Sequence, residues 1–270
     1  MRRLTVFAAL VMAMGGLAVP GSVQAKPPGK GPTTLSFTGM GGAVPDGNAA
    51  GASFDIPIPD RGLIAPSGNN VTLALIGVST NAQGFFNPYG GLGDFTVTLE
   101  HVGGGSPQYA FANVLNGGTF VCVAGLNGTY TFGSGEPTTL RSQCGTGGTG
   151  TQPPLIPPGT YRTTAPDDVT DSNLSSAWNS QSVAGTWRLH VTDTNVLTRP
   201  GQFVLNTTWT WRLDIRVAGH GSCKKGGWRR FTNPSFKNQG QCVAFMNHHN
   251  GKGKDDDNSN GKKRGHGKKK

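Results

Sequence analysis

The sequence predicts an all-β domain of the sandwich or jelly-roll class, and three observations carry that prediction. Between Gly185 and Val217 two segments alternate strictly. Trp187, Leu189 and Val191 face one way against Arg188, His190 and Thr192; later Trp209, Trp211, Leu213, Ile215 and Val217 oppose Thr210, Arg212, Asp214 and Arg216. Successive strand side chains point to opposite faces, so this pattern marks a sheet with one face buried and one wet. Phe95, Val97 and Leu99 repeat it against Thr96, Thr98 and Glu100. The third observation is punctuation: 43 Gly and 18 Pro break the 270 residues into short runs. Between Thr33 and Val217 no stretch of ten or more residues carries a 3.6-residue apolar period, which leaves short strands joined by turns.

The chain opens with an export pattern over residues 1–25. Arg2 and Arg3 supply the charged start, Leu4 to Val19 is mostly apolar, and Val23-Gln24-Ala25 is a small-residue cleavage site. No second apolar run of spanning length follows, so the mature chain is expected outside the cytoplasm, secreted, with no transmembrane segment. Residues 26–33 read as a Pro/Gly linker, and residues 34–217 as the β-domain, a length suited to one sandwich. Candidate strands are Ser53–Ile58, Val71–Val78, Phe95–Val102, Thr119–Ala124 and Thr129–Phe132, separated by loops such as Gly103–Pro107 and Gly145–Thr160. Residues 218–222 (Ala-Gly-His-Gly-Ser) read as a second linker, 223–249 as a small basic module, and 250–270 as a disordered cationic tail of Gly, Asn, Asp and Lys.

Four cysteines, an even number in an exported chain, point to disulfides. Three pairings are possible; proximity in sequence favours Cys122–Cys144 and Cys223–Cys242. Each would close a loop of about 20 residues and contribute on the order of 3 kcal/mol through the unfolded chain. No pair shows the short clip of a zinc site. Charge divides the chain sharply. Residues 223–270 hold 13 Lys or Arg and 3 Asp, whereas residues 1–222 hold 11 of each sign, so the whole net charge of +10 sits at the C-terminus.

Gly93-Asp94-Phe95-Thr96-Val97-Thr98-Leu99-Glu100-His101, followed much later by Gly185-Thr186-Trp187-Arg188-Leu189-His190-Val191-Thr192-Asp193 and a closing Trp211-Arg212-Leu213, resembles the P domain (P/Homo B) of the proprotein convertases and its bacterial relatives. The resemblance covers roughly Ser36 to Val217 and implies a jelly roll of galactose-binding-like topology. It departs from the family at Ala177-Trp178-Asn179-Ser180, where the family usually reads like Phe-Asn-Gly, and in an insertion bearing Cys122 and Cys144. In that family the domain follows a subtilisin-like catalytic domain and stabilises it. Here the resemblance implies an orphan P domain, or an accessory to a separate serine protease. Cys223 to His248 is similar to a short cysteine-bracketed segment at the C-termini of assorted exported bacterial proteins; a staple with Trp228, Phe231, Phe236 and Phe245 around it would give so short a piece its core.

No hydrolase motif of the G-x-S-x-G or H-E-x-x-H kind is present. His190 and Asp193 stand three apart on a strand and so face opposite ways, which argues against a His–Asp relay; His101 falls on an apolar phase and reads as structural. The chain is therefore expected to be non-catalytic. For calcium, Asp167, Asp168 and Asp171 form the best acidic cluster, with Asp46-Gly47-Asn48 second, although Asp and Asn also favour turns by bonding their own backbone. For carbohydrate, Phe85, Phe86, Tyr89 and Tyr161 are candidate loop aromatics. For anions, Lys224, Lys225, Arg229, Arg230 and Lys237 interleave with aromatics, and the tail adds eight more basic residues. These point to attachment to anionic envelope or extracellular polymers or lipid head groups.

Overall fold

The computed structural model describes residues 31–44, 47, 49–59, 61–80, 92–112, 122, 124–144, 155–167, 169–193 and 207–250. Residues 1–30 with the export pattern, residues 81–91 and residues 251–270 are among those outside them. Among the described residues ten strands dominate: β1 (Thr33–Met40), β2 (Ala52–Ile58), β3 (Val71–Ser79), β4 (Phe95–His101), β5 (Gln108–Ala112), β6 (Gly125–Gly133), β7 (Leu155–Ile156), β8 (Gly159–Arg162), β9 (Gly185–Asp193) and β10 (Thr210–Val217). The helices are α1 (Leu140–Gln143) and α2 (Gln239–Asn250), with short 3-10 turns at Leu92–Asp94, His220–Cys223 and Gly227–Arg230. The fold is all-β, as the alternation predicts. No helix among the described residues is long and apolar enough to cross a membrane.

The strands form two sheets. One runs β1-β10-β3-β6-β7, with β8 also on β6; the other runs β2-β9-β4-β5. All pairings are antiparallel except those of β6 with β7 and β8. The periodicity seen in sequence is the periodicity of burial. In β9, Trp187, Leu189 and Val191 are buried while Arg188, His190 and Thr192 are not, and β10 buries Trp211, Leu213, Ile215 and Val217. The two buried phases meet in one apolar core.

Four tryptophans, Trp178, Trp187, Trp209 and Trp211, are buried within that core. Trp187 stacks on His101 with centroids 4.5 Å apart and meets the edge of Trp178 at 5.1 Å. Its indole N–H donates to Val183 O at 3.0 Å, and that of Trp209 to Gly42 O at 2.9 Å. Such partners let an amphipathic ring be buried without an unsatisfied donor. The edge strand β1 reaches the rings only because glycine stands where it passes them. A Cβ on Gly41 would lie 2.2 Å from the Trp209 ring, and one on Gly39 2.6 Å from Trp211 Nε1.

Both disulfides are formed, Cys122–Cys144 and Cys223–Cys242. The second anchors a smaller cluster in which Phe231, Phe236 and Met246 pack together with Leu63 and Ala218 from the β-domain. The stretch 218–222, expected as a linker, is therefore docked. Ala218 is buried and its N–H donates to Leu63 O at 2.8 Å, while residues from His220 onward turn into a 3-10 helix. The basic module shares an apolar seam with the β-domain, because too few apolar side chains lie within it to form a core alone. Three further expectations change. The segment 145–160, read as a loop, carries β7 and the start of β8, whose two and four residues are too short to show alternation. The strand expected at Thr119–Ala124 is absent at Cys122 and Ala124, its remaining residues lying outside those described. The linker read at 26–33 gives way to strand β1 at Thr33.

Trp187→Ala is expected to cost about 3–5 kcal/mol by opening a core cavity. Gly41→Ala should cost about 1–3 kcal/mol by overpacking against the Trp209 ring. Guanidinium titrations that leave either midpoint unmoved would contradict this account of the core.

Candidate anion-binding cleft

The end of β10 and the seam beyond it form a cleft of about 350 Å³. One side is held by the β-domain. Arg216 lies on the exposed phase of β10, and its backbone is pinned from both directions: its N–H donates to Asn70 O at 2.8 Å and its carbonyl accepts from Ala65 N at 2.9 Å. The turn carrying Pro66 and Ser67 is tied down by the Asn70 side-chain amide, which donates to Ala65 O at 2.9 Å and to Asn179 Oδ1 at 2.8 Å. Asn70 is buried, so this amide organises the wall from behind.

The other side is the turn Lys224–Gly227 and the 3-10 helix that follows. Gly227 N donates to Lys224 O at 2.9 Å across two residues of positive φ, Lys225 at 50° and Gly226 at 79°. Positive φ at both central positions is the type I′ arrangement, for which glycine and asparagine are the usual residues. A lysine held there costs on the order of 1–3 kcal/mol, a strain found most often at functional sites. Gly227 has no alternative, since its Cβ would lie 2.1 Å from Ser222 O. A further close approach lies next to the cleft: a Cβ on Gly219 would lie 2.3 Å from the carbonyl oxygen of Gly31, which precedes the lining residue Pro32.

Arg216, Lys224, Lys225 and Arg230 line the cleft together with Ser67 and Ser222, and among the described residues no Asp or Glu lines it. On the outer faces of the sheets, by contrast, Arg188 pairs with Asp55 at 2.8 Å and Arg212 with Asp214 at 3.0 Å. Among the described residues no carboxylate ion-pairs with any of the four cleft cations. Of the five cations singled out in the sequence, three converge. Arg229 instead places its guanidinium 5.0 Å over the Trp228 ring, and Lys237 sits at the start of α2, its N–H donating to Gln241 Oε1 at 2.8 Å. Sequence reasoning misses Arg216, whose only signal is its place on the polar phase of a strand.

The remaining candidates fall apart or lie outside the described residues. Asp167 accepts from the N–H groups of Val169 at 3.0 Å and Thr170 at 2.8 Å, and from the Thr170 hydroxyl. Asp171 accepts from Thr163 Oγ1 at 2.6 Å, Gly135 N at 2.7 Å and Asn173 N at 3.0 Å. Asp167 is thus engaged within its own turn and Asp171 by donors from three segments, and Asp168, Asp46 and Asn48 lie outside the described residues. Among those described, no group of three or more His, Cys, Asp or Glu is placed to hold a metal ion. Tyr161, a candidate sugar platform, is instead buried, its hydroxyl donating to Pro157 O, because β8 turns it inward beside Tyr130 and Phe132. Phe85, Phe86 and Tyr89 lie outside the described residues. His101 is buried with Nε2 2.9 Å from Ala184 O, while His190 lies on the open sheet face 2.9 Å from Ser53 Oγ. Asp193 is buried in the opposite phase from His190.

No protein-family model matches the chain, and no curated protein matches it. Two solved structures of a serine protease of Aeromonas sobria are similar to it at 12% identity. The protease in complex with a chaperone gives a TM-score of 0.34 and covers 69% of this chain; the protease by itself gives 0.32 and 68%. In each case the chain spans 27% of the neighbour's length. Likeness at this level carries no argument about function.

Burial opposes ionisation of Asp171, but the Thr163 hydroxyl and the Gly135 and Asn173 N–H groups outweigh it and hold the carboxyl below its ordinary value of 3.8. The ionised form is therefore favoured by folding. That stability is fully present above the unfolded value, about pH 4, and is lost as pH falls through the lower folded value. Asp171→Asn is expected to lower stability by about 1–3 kcal/mol at pH 7, and the gap from wild type should close in urea titrations below about pH 4. A gap independent of pH would refute the assignment.

Proposed function

We propose that the chain is an exported, non-catalytic binding protein that attaches to an anionic envelope or extracellular polymer through its cationic C-terminal end. The observation carrying this reading is the convergence of Arg216, Lys224, Lys225 and Arg230 on one cleft that no described carboxylate lines. The sequence beyond residue 250 adds eight further basic residues. Polybasic segments gain about 1 kcal/mol per Lys or Arg close to an anionic surface. Export is supported by the charged, apolar and small-residue succession at residues 1–25 and by two disulfides, which persist in oxidising compartments.

The β-domain is proposed to be a P-domain-like jelly roll. Supporting this, the two segments that resemble the family's motifs, β4 and β9, are antiparallel neighbours in one sheet, with Val97 opposite Val191 and Leu99 opposite Leu189. The same resemblance favours a second reading, an accessory that stabilises a separate subtilisin-like protease. A rise in such a protease's melting temperature on adding this chain would support that reading.

Attachment predicts that the full chain is retained at low salt on both phosphocellulose and carboxymethylcellulose. Its apparent affinity should fall log-linearly with salt as counterions are released. Replacing Lys224, Lys225, Arg229, Arg230 and Lys237 together by glutamine should reduce the slope of that dependence. Elution of the wild type from both matrices at the lowest salt would end the proposal.

A further inference from the structure

We infer that the cleft at the seam is a site for a phosphate monoester group, so that attachment selects phosphorylated over carboxylated partners. This rests on the attachment reading above and names its chemistry. Two arginines line the cleft from different parts of the chain, Arg216 on β10 and Arg230 on the 3-10 helix Gly227–Arg230, with Lys224 and Lys225 shortly before the latter. Each guanidinium is a planar fork suited to two oxygens. A carboxylate has only two oxygens, in one plane, and would satisfy one fork. A phosphate monoester has three terminal oxygens arranged tetrahedrally, which serve donors arriving from separate directions. It also carries close to two negative charges at neutral pH, a better match to four cations that no described carboxylate neutralises.

The rest of the cleft fits the same ligand. Ser67 and Ser222 are among the lining residues, and no described residue holds either side chain in a hydrogen bond. The volume, about 350 Å³, is near the lower end for small-molecule sites and leaves room for a sugar or polyol unit beyond the phosphoryl group. Pro32 and Pro66 add apolar residues to the lining. The backbones that carry two of the donors are held in place, Arg216 by the bonds to Asn70 and Ala65 and Lys225 in its left-handed turn. Because the site spans the seam, an occupied cleft also links the module to the β-domain, and ligand should raise the melting temperature.

The test is calorimetric titration of the full chain with glycerol 3-phosphate and with succinate, a dicarboxylate of nearly equal charge, at fixed ionic strength. Glycerol 3-phosphate is expected to bind at least tenfold more tightly. It should also displace the chain from phosphocellulose where succinate does not, which separates recognition of the polymer's own phosphoryl groups from recognition of a free monoester alone. Arg216→Gln and Arg230→Gln should each weaken glycerol 3-phosphate binding roughly tenfold or more, the scale of a lost charge-assisted contact. Arg229→Gln and Lys237→Gln, which remove the same charge outside the cleft, should change it less than threefold. Arg216→Lys keeps the charge and lies at an exposed strand position, yet loses the fork, and should narrow the preference over succinate. Equal binding of succinate, or equal weakening by the two pairs of glutamine variants, would overturn the inference. Retention on both cellulose matrices would in that case still stand, so failure of the cleft and failure of attachment give different results.

Discussion

The alternation of β10 governs the rest of the molecule. This strand lies between β1 and β3, and its buried phase reads Trp211, Leu213, Ile215 and Val217. Each central inward residue is opposed on both flanks: Leu213 by Phe37 and Leu73, Ile215 by Leu35 and Val71. A shift of one residue would send the whole apolar set to solvent and turn Arg212, Asp214 and Arg216 into the core. The cost of that exchange locks the register, and the register determines what the strand does at its far end. Arg216 must point outward, and Val217 and Ala218 must lie within reach of Ile64 and Leu63.

The C-terminal module is built on that ending. Its own apolar content is small, a disulfide with Phe231, Phe236 and Met246 around it, and Leu63 and Ala218 complete the cluster. Ser180, held at a φ of 68°, adds a hydroxyl bond to Arg230 O at 2.9 Å. Docking through apolar contacts brings positive charges from the module beside a positive charge of the sheet. Coulomb repulsion opposes that arrangement, so an anionic partner in the cleft would be stabilised by the same geometry that packing otherwise holds against repulsion.

Much of the scaffold is legible in the sequence. The runs at Phe95–His101 and Gly185–Val217 form adjacent or opposed strands because a period of two, once one face is apolar, admits few other solutions. Both disulfides join the nearest cysteines along the chain. Less is legible where elements draw their stability from partners. Strands β7 and β8 exist through pairing with β6, and α2 through the cluster around Cys242 and Met246. The inward turn of Tyr161 escapes the sequence for the same reason, since nothing local to it shows that β8 carries its ring beside Tyr130 and Phe132.

Periodicity and composition are local properties of a chain. The amino-acid order alone therefore dictates the sheet class, the buried phase of each long strand and the place where positive charge accumulates. Which charges act together is a matter of tertiary packing. Arg229 and Lys237 drop out; Arg216, unlike them in being a strand residue, joins Lys224, Lys225 and Arg230. That selection depends on the distance between two surfaces, set by a buried seam at Leu63 and Ala218, by Asn70 behind one wall and by the left-handed turn at Lys225 in the other. Distances of that kind arise from packing between segments separated in sequence, and no pattern within either segment encodes them.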